Sequence, residues 1–163
     1  MNLLQYTVFL HGNHDPTLPQ LPTKYQLTYR PAVLLRHPDT NILILHGHGT
    51  GLITAIKKYP TIHAAFNHIK QQLINNPPPW TYQITKNDWF IAGHRTAPHL
   101  NTTTKTAGLS PWTHPLSDHW HGHYITIQPH PRLPPVSLYK YGKIPQNTEV
   151  QIQLPAKSNL IAD

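Results

Sequence analysis

Apolar and polar positions alternate, or β-branched residues run together, in several short stretches of the chain, and each such stretch predicts a β-strand. The predicted strands lie at residues 5–10, 24–30, 32–36, 41–46, 80–86, 88–94, 123–128, 136–141 and 149–154. The 18 prolines punctuate nearly every segment, so we expect the elements to be short.

Two pairs of these strands are close enough along the chain to form hairpins. Residues 32–36 and 41–46 flank His37-Pro38-Asp39-Thr40, a plausible turn because proline presets φ and Asp and Thr bond locally. Residues 80–86 and 88–94 flank a tight turn near Asn87.

One segment carries helical periodicity instead. Ile62, Phe66, Ile69 and Leu73 recur at helical spacing, and Ala65 fills the same face. A proline at position 60 suits a first turn, and three consecutive prolines at 77–79 end the pattern. The sequence therefore predicts a helix over about 61–75, with a shorter helical turn at 52–58.

The elements together predict an α+β fold of mostly short antiparallel strands, one central helix and long Pro-rich loops. The 163 residues fit one domain, spanning 1–163. The Thr-, Asn- and Pro-rich segment 94–115 predicts a long loop, and 129–135 a stiff connector.

The charge of the chain gives the first indication of its function. Thirteen Lys and Arg residues face six acidic residues, a net charge of +7, and 14 histidines add charge in mild acid. Such a surface favours polyanions. The scarcity of carboxylates argues against two-metal nucleases and glycosidases, and the absence of cysteine excludes disulfides, thiolate zinc sites and cysteine nucleophiles.

Location and origin are also suggested by composition. The longest apolar run, around residues 42–45, is far shorter than a membrane span, and no basic region precedes an apolar one at the N-terminus. His, Asn, Pro, Thr, Gln and Lys are abundant, and all six have codons made of A and C alone. We therefore expect a viral protein of the host cytoplasm or nucleus, with no membrane partner and no secretion.

Alternate histidines form the first candidate site. His119, His121 and His123 point to one side of an extended segment, where neighbouring imidazoles can chelate a divalent metal such as Mn²⁺, Mg²⁺ or Zn²⁺. Asp118 or His114 could orient or complete the set.

The His119-Trp120-His121 string resembles the His–hydrophobic–His motif of rolling-circle replication initiators. The resemblance implies that His119 and His121 hold a metal that polarises a scissile phosphate. It also implies a tyrosine nucleophile, Tyr139 or Tyr141, with Lys143 nearby in Tyr-Lys-Tyr-Gly-Lys. The implied activity is metal-dependent endonucleolytic cleavage of single strands.

A glycine-rich turn forms the second candidate site, between a predicted strand and a helix start. Gly47, Gly49, Thr50 and Gly51 would let a phosphate approach backbone amides. The string resembles the ligand loop of macrodomains, with Ala55 and Tyr59-Pro60 following it. That resemblance implies binding of a nucleotide or ADP-ribose.

Basic residues beside aromatic residues form a diffuse third candidate. Examples are Lys24-Tyr25, Tyr29-Arg30, Lys86 with Trp89, and Tyr139-Lys140-Tyr141. Cations hold phosphates and aromatic faces stack on unpaired bases. Our leading hypothesis is therefore a small, basic, histidine-rich viral protein that binds nucleic acid, single-stranded for preference. The endonuclease, the macrodomain-like binder and a viral structural protein built as a strand sandwich are the alternatives.

Overall fold

A mixed β-sheet with two helices on one face forms the centre of the computed structural model, which describes residues 8–10, 12, 29–94, 96–109, 123–128, 134–140 and 150–151. The elements are β1 (Phe9–Leu10), β2 (Tyr29–Arg30), β3 (Ala32–His37), β4 (Thr40–Leu45), α1 (Leu52–Lys58), α2 (Ile62–Asn75), β5 (Trp89–Ala92), β6 (His99–Asn101), β7 (Thr106–Gly108), β8 (His123–Ile127), β9 (Val136–Lys140) and β10 (Val150–Gln151).

The central sheet has the strand order β3-β4-β5-β7-β6. Strand β5 pairs parallel with both β4 and β7, while the outer pairs β3–β4 and β6–β7 are antiparallel. All four residues of β5 are buried, as expected for a parallel strand covered on both faces. This mixture of helices and strands agrees with the predicted α+β class at that level.

The predicted hairpin at residues 32–46 is confirmed. Strands β3 and β4 pair in register from Ala32 opposite Leu45 to His37 opposite Thr40, which leaves Pro38 and Asp39 as the turn. The Asp39 amide donates to Nδ1 of His37 at 3.3 Å, so the turn satisfies one of its own backbone donors.

The predicted helix is confirmed as α2, whose buried face includes Phe66, Ile69 and Leu73. The hydroxyl of Thr61 caps it by accepting from the Ala64 amide at 3.1 Å. The shorter turn expected at 52–58 is the helix α1, so the described residues hold two helices rather than one central helix.

The prediction of a strand at 80–86, paired with 88–94 in a hairpin, is wrong. Residues 80–88 form turns and irregular backbone, and β5 pairs with β4 and β7 instead. Asp88 explains the turn, because its carboxylate accepts from the amides of Thr85 and Asn41, both at 2.8 Å, and from the Thr85 hydroxyl at 2.9 Å. These bonds hold the entry to β5 beside the start of β4.

The prediction of one long loop at 94–115 is wrong over residues 99–108. Strands β6 and β7 lie there, joined by a turn in which the Thr104 amide donates to Oδ1 of Asn101 at 2.9 Å. Threonine favours β-strands. Thr106, Ala107 and Gly108 are all small, and all three are buried in β7. The rest of that segment, 110–115, lies outside the described residues.

A second sheet, β10-β9-β8, covers the face opposite the helices. Leu43 and Phe90 face the helices, whereas Ile42 and Ile91 share a core with Val136 of β9. Nε2 of His37 also lies 2.9 Å from the Gln128 carbonyl oxygen, which links the hairpin β3–β4 to the end of β8. The helices, the central sheet and the second sheet thus form three layers within the described part of the chain.

Candidate functional site

A cavity of about 370 Å³ opens where β4 and β5 end. Its walls are formed by Gly12, Pro31, His46, Gly47, His48, Gly49 and Trp80. The two strands are parallel, so their carboxyl ends meet at one edge of the sheet, and ligands of such sheets bind in the crevice at that edge. The cavity therefore lies where a ligand of such a sheet is expected.

The glycine-rich loop after β4 is held in shape by glycine's conformational freedom and by Thr50. Gly47 has φ +100°, and a Cβ there would lie 2.8 Å from the Gly93 carbonyl oxygen. The Thr50 hydroxyl donates to the Gly47 carbonyl at 2.7 Å and accepts from the Leu52 amide at 3.2 Å. The loop is thereby fixed against the end of β5.

Two histidines of the cavity wall, His46 and His48, lie against a third, His94. The ring of His94, just after β5, lies 4.8 Å from that of His46 and 5.5 Å from that of His48, measured between centroids. His94 also has φ +68°, a left-handed conformation that costs a non-glycine residue about 1–2 kcal/mol. Imidazoles can donate, accept or carry a proton near neutral pH, so this cluster has chemical capacity.

Trp80 supplies an aromatic wall beside the loop. Its side chain is 38 % exposed, and a Cβ on Gly49 would lie 3.7 Å from its ring. An exposed indole next to Gly49 and the imidazoles gives the cavity both a stacking surface and polar groups.

The structure brings together the residues predicted from the glycine-rich string. Gly47 and Gly49 line the cavity, Thr50 secures the loop, and Gly51 stands at the start of α1 with φ +78°. Binding of a ligand by these residues stays a prediction.

The predicted histidine–tyrosine site is only partly described. His119, His121 and Lys143 lie outside the described residues, as do Asp118, His114 and Tyr141. His123 is buried at the start of β8, opposite Lys140 in register. Tyr139 pairs with Tyr124 and stacks on it at 5.5 Å, so it lies on the other face of the hairpin from His123.

Of the predicted metal ligands only His123 can be placed, and the described part of the chain contains no group of three or more potential ligands arranged to hold a metal ion. The metal at the histidine string stays a prediction.

Sequence reasoning missed His94 and Trp80. Each parallel strand runs into a histidine, as Leu-His-Gly-His in one case and Ala-Gly-His in the other. This signal was readable, but it needed β4 and β5 to be assigned as parallel neighbours. The predicted hairpin instead paired residues 88–94, which include β5, with residues 80–86.

A second histidine pair, buried His99 of β6 and half-buried His63 of α2, lies where these two elements meet. His99 is 0 % exposed, packs edge-on to Phe66 at 4.0 Å and lies 5.1 Å from the ring of His63. Burial lowers the pKa of His99 to about 3, with His63 adding to the decrease and the Ala97 backbone opposing it. Burial also lowers the pKa of His63.

A buried lysine lies at the amino ends of β5 and β7, at the opposite end of these strands from the cavity. The ammonium of Lys70 donates to the carbonyl oxygens of Thr104 at 2.7 Å and Lys86 at 3.0 Å. Burial and, to a smaller extent, the neighbouring Lys105 together lower its pKa to about 8, while Asp88 opposes the decrease. Burial raises the pKa of Asp88, but hydrogen bonds from Thr85 and Asn41 outweigh this and hold it below its usual value. Lys70 thereby ties α2 to the turns that precede β5 and β7.

Comparison of the chain with protein-family models, curated proteins and solved structures found no match in any of the three. Among the described residues no helix is long and apolar enough to cross a membrane. Function must therefore be inferred from the site itself.

Proposed function

We propose that this protein binds single-stranded nucleic acid and seats one nucleotide in the cavity at the ends of β4 and β5. The observation that carries the proposal is the half-exposed Trp80 ring beside the glycine-rich loop and the three histidines. We call this cavity, with His94, the histidine cavity.

Each wall of the histidine cavity matches one part of a nucleotide. The Trp80 indole can stack on an unpaired base, which typically contributes about 1–3 kcal/mol. Gly49 is exposed and carries no side chain to keep a phosphate from the backbone, and imidazole N–H groups can donate to its oxygens. The volume of about 370 Å³ falls within the range of small-ligand sites.

The charge of the whole chain supports a polyanionic partner. The net charge is +7, and exposed Arg30 directly precedes Pro31 in the cavity wall. Opposite charge speeds encounter and makes affinity fall with salt, by roughly one decade per decade of salt for each phosphate contacted.

The test is a titration of labelled 12-nucleotide DNA and RNA strands at two salt concentrations. We expect Trp80→Ala to weaken binding about 5- to 150-fold, because one stacked base is lost. Tyr82→Ala is the matched control, since Tyr82 is 45 % exposed two residues away and does not line the cavity. Equal losses in both variants, or affinity indifferent to salt, would rule out the proposal.

A second candidate is a macrodomain-like binder of a free nucleotide or ADP-ribose. The observation in its favour is the fixed glycine loop, which ends in Gly51 before α1. Calorimetry with AMP and ADP-ribose separates the two functions, because this candidate predicts that the free ligand binds and competes with oligonucleotide. Gly51→Glu serves as the negative control.

The metal-dependent endonuclease and the viral structural protein stay predictions from the sequence. They depend on residues 110–122 and 141–149, which lie outside the described part, or on assembly. Sedimentation tests the structural alternative, since a structural protein of that kind should assemble.

A further inference from the structure

We propose that the histidine cavity cleaves RNA through the 2′-hydroxyl, with His94 and His48 as the proton-transferring pair. This inference rests on the proposed function, because the substrate must first seat a nucleotide in the cavity. It adds a reaction, a substrate class and two catalytic residues to simple binding.

The rings of His48 and His94 lie close enough together to act on one phosphate. His94 contacts both other rings and is fixed at the end of β5, while the His48 side chain is exposed to incoming substrate. Their centroids lie 5.5 Å apart, close enough for each ring to reach one of two oxygens on the same phosphorus. His46 packs against His94 at 4.8 Å and acts as a positioning residue.

Among the described residues, no carboxylate lies at the histidine cavity to transfer the proton. Asp39 lies in the β3–β4 turn and Asp88 directly precedes β5, so both stand at the amino ends of β4 and β5. The histidine cavity opens at the carboxyl ends. Proton transfer within the described cavity therefore falls to imidazole, which can both accept and donate a proton.

The reaction needs no added oxidant, reductant or co-reactant. A neutral imidazole takes the proton of the 2′-hydroxyl, and O2′ forms a bond to phosphorus as the bond from phosphorus to O5′ breaks. The second imidazole, protonated, gives its proton to O5′. The products are a 2′,3′-cyclic phosphate and a 5′-hydroxyl, and proton exchange with water restores both rings.

The experiment uses a labelled 12-nucleotide strand that is deoxyribose throughout except for one central ribonucleotide, with EDTA present. We expect cleavage only after the ribonucleotide, giving a cyclic phosphate, and no cleavage of the all-deoxy strand. His48→Gln and His94→Asn should each lower the rate at least about 100-fold, as expected for loss of a general acid or base. His68→Gln, on α2 outside the cavity, is the matched control.

Binding of the all-deoxy strand separates the possible failures. If it binds but the ribonucleotide strand stays intact, the cleavage proposal is overturned and the binding proposal stands. If neither this strand nor the strand that contains the ribonucleotide binds, both proposals are overturned. Cleavage that needs a metal, or that persists unchanged in His48→Gln and His94→Asn with unaltered melting curves, also overturns the assignment of the pair.

Discussion

His99 shows how one residue can tie stability to pH. Its ring is fully enclosed between α2 and the sheet, and a Cβ on Gly108 would lie 2.5 Å from Nδ1, so only glycine leaves room for it. Neither ring nitrogen makes a well-formed hydrogen bond within the described residues. A charged imidazole here is therefore costly, and the folded protein keeps the ring neutral.

We expect the protein to lose stability as pH falls from about 6.5 toward 3. The unfolded chain binds a proton on His99 below its ordinary pKa of 6.5, whereas the folded chain does so only near pH 3. Stability conferred by the neutral ring is complete above pH 6.5 and decreases below it, by at most about 1.4 kcal/mol per pH unit. Urea unfolding across this range measures the slope.

His99→Leu is the control for that measurement, because leucine has a similar volume and does not titrate. The slope between pH 6.5 and 4 should become shallower in the variant. An unchanged slope would mean that other groups, His63 among them, account for the acid sensitivity.

At the scale of elements, two constraints act on the glycines of the loop between β4 and α1: a positive φ and a close contact with neighbouring backbone. The two constraints do not act on every glycine alike. Gly47 and Gly49 both have positive φ, of +100° and +79°. Only Gly47 also meets backbone, since a Cβ at that position would stand 2.8 Å from the Gly93 oxygen, whereas the nearest atom to a Cβ on Gly49 belongs to Trp80, at 3.7 Å.

Gly49→Ala should therefore cost about 1–2 kcal/mol of folding free energy, the cost of a left-handed alanine. Gly47→Ala should cost more than that, because the end of β5 must also shift. Thermal and urea unfolding of the two variants gives the comparison. Equal costs would show that the loop yields at Gly47 without disturbing Gly93.

The success of sequence reasoning also divides by element. The β3–β4 hairpin and α2 could be predicted because their signals are local: a Pro-Asp turn in one case and a helical apolar stripe in the other. The parallel pairing of β4 with β5 could not, because it joins Leu45 to Ala92 across two helices, and strand periodicity does not identify a distant partner. The glycine-rich loop of the candidate site was predicted from the sequence. His94, which follows β5, was missed because the pairing of β4 with β5 was missed.

At the scale of the whole molecule, the hairpin β8–β9 closes the second core. Val136 and Leu138 are 0 % exposed, and Val136 packs with Ile42, Trp89 and Ile91 of the central sheet. Alternation along the two strands could be predicted, but which face of which sheet they cover depends on tertiary packing.

Leu138→Ala should lower the free energy of unfolding by about 2–5 kcal/mol, as for a leucine removed from a closed core. The whole protein should lose stability in one transition, because the hairpin is a layer of the fold. Thr126→Ser, on the other face of the hairpin, should change little. Two separate unfolding transitions monitored by tryptophan fluorescence would contradict this view.

The position of β5 between two parallel neighbours has a kinetic consequence. The Phe90 amide donates to the Lys105 oxygen at 3.0 Å, the Ala92 oxygen accepts from the Leu109 amide at 3.1 Å, and helices and hairpin cover the two faces. Local fraying at the edge strands β3 and β6 leaves these bonds intact. Amide protons of Phe90–Ala92 should thus exchange with deuterium last, through global unfolding, and their exchange rates give the stability of the entire domain without denaturant.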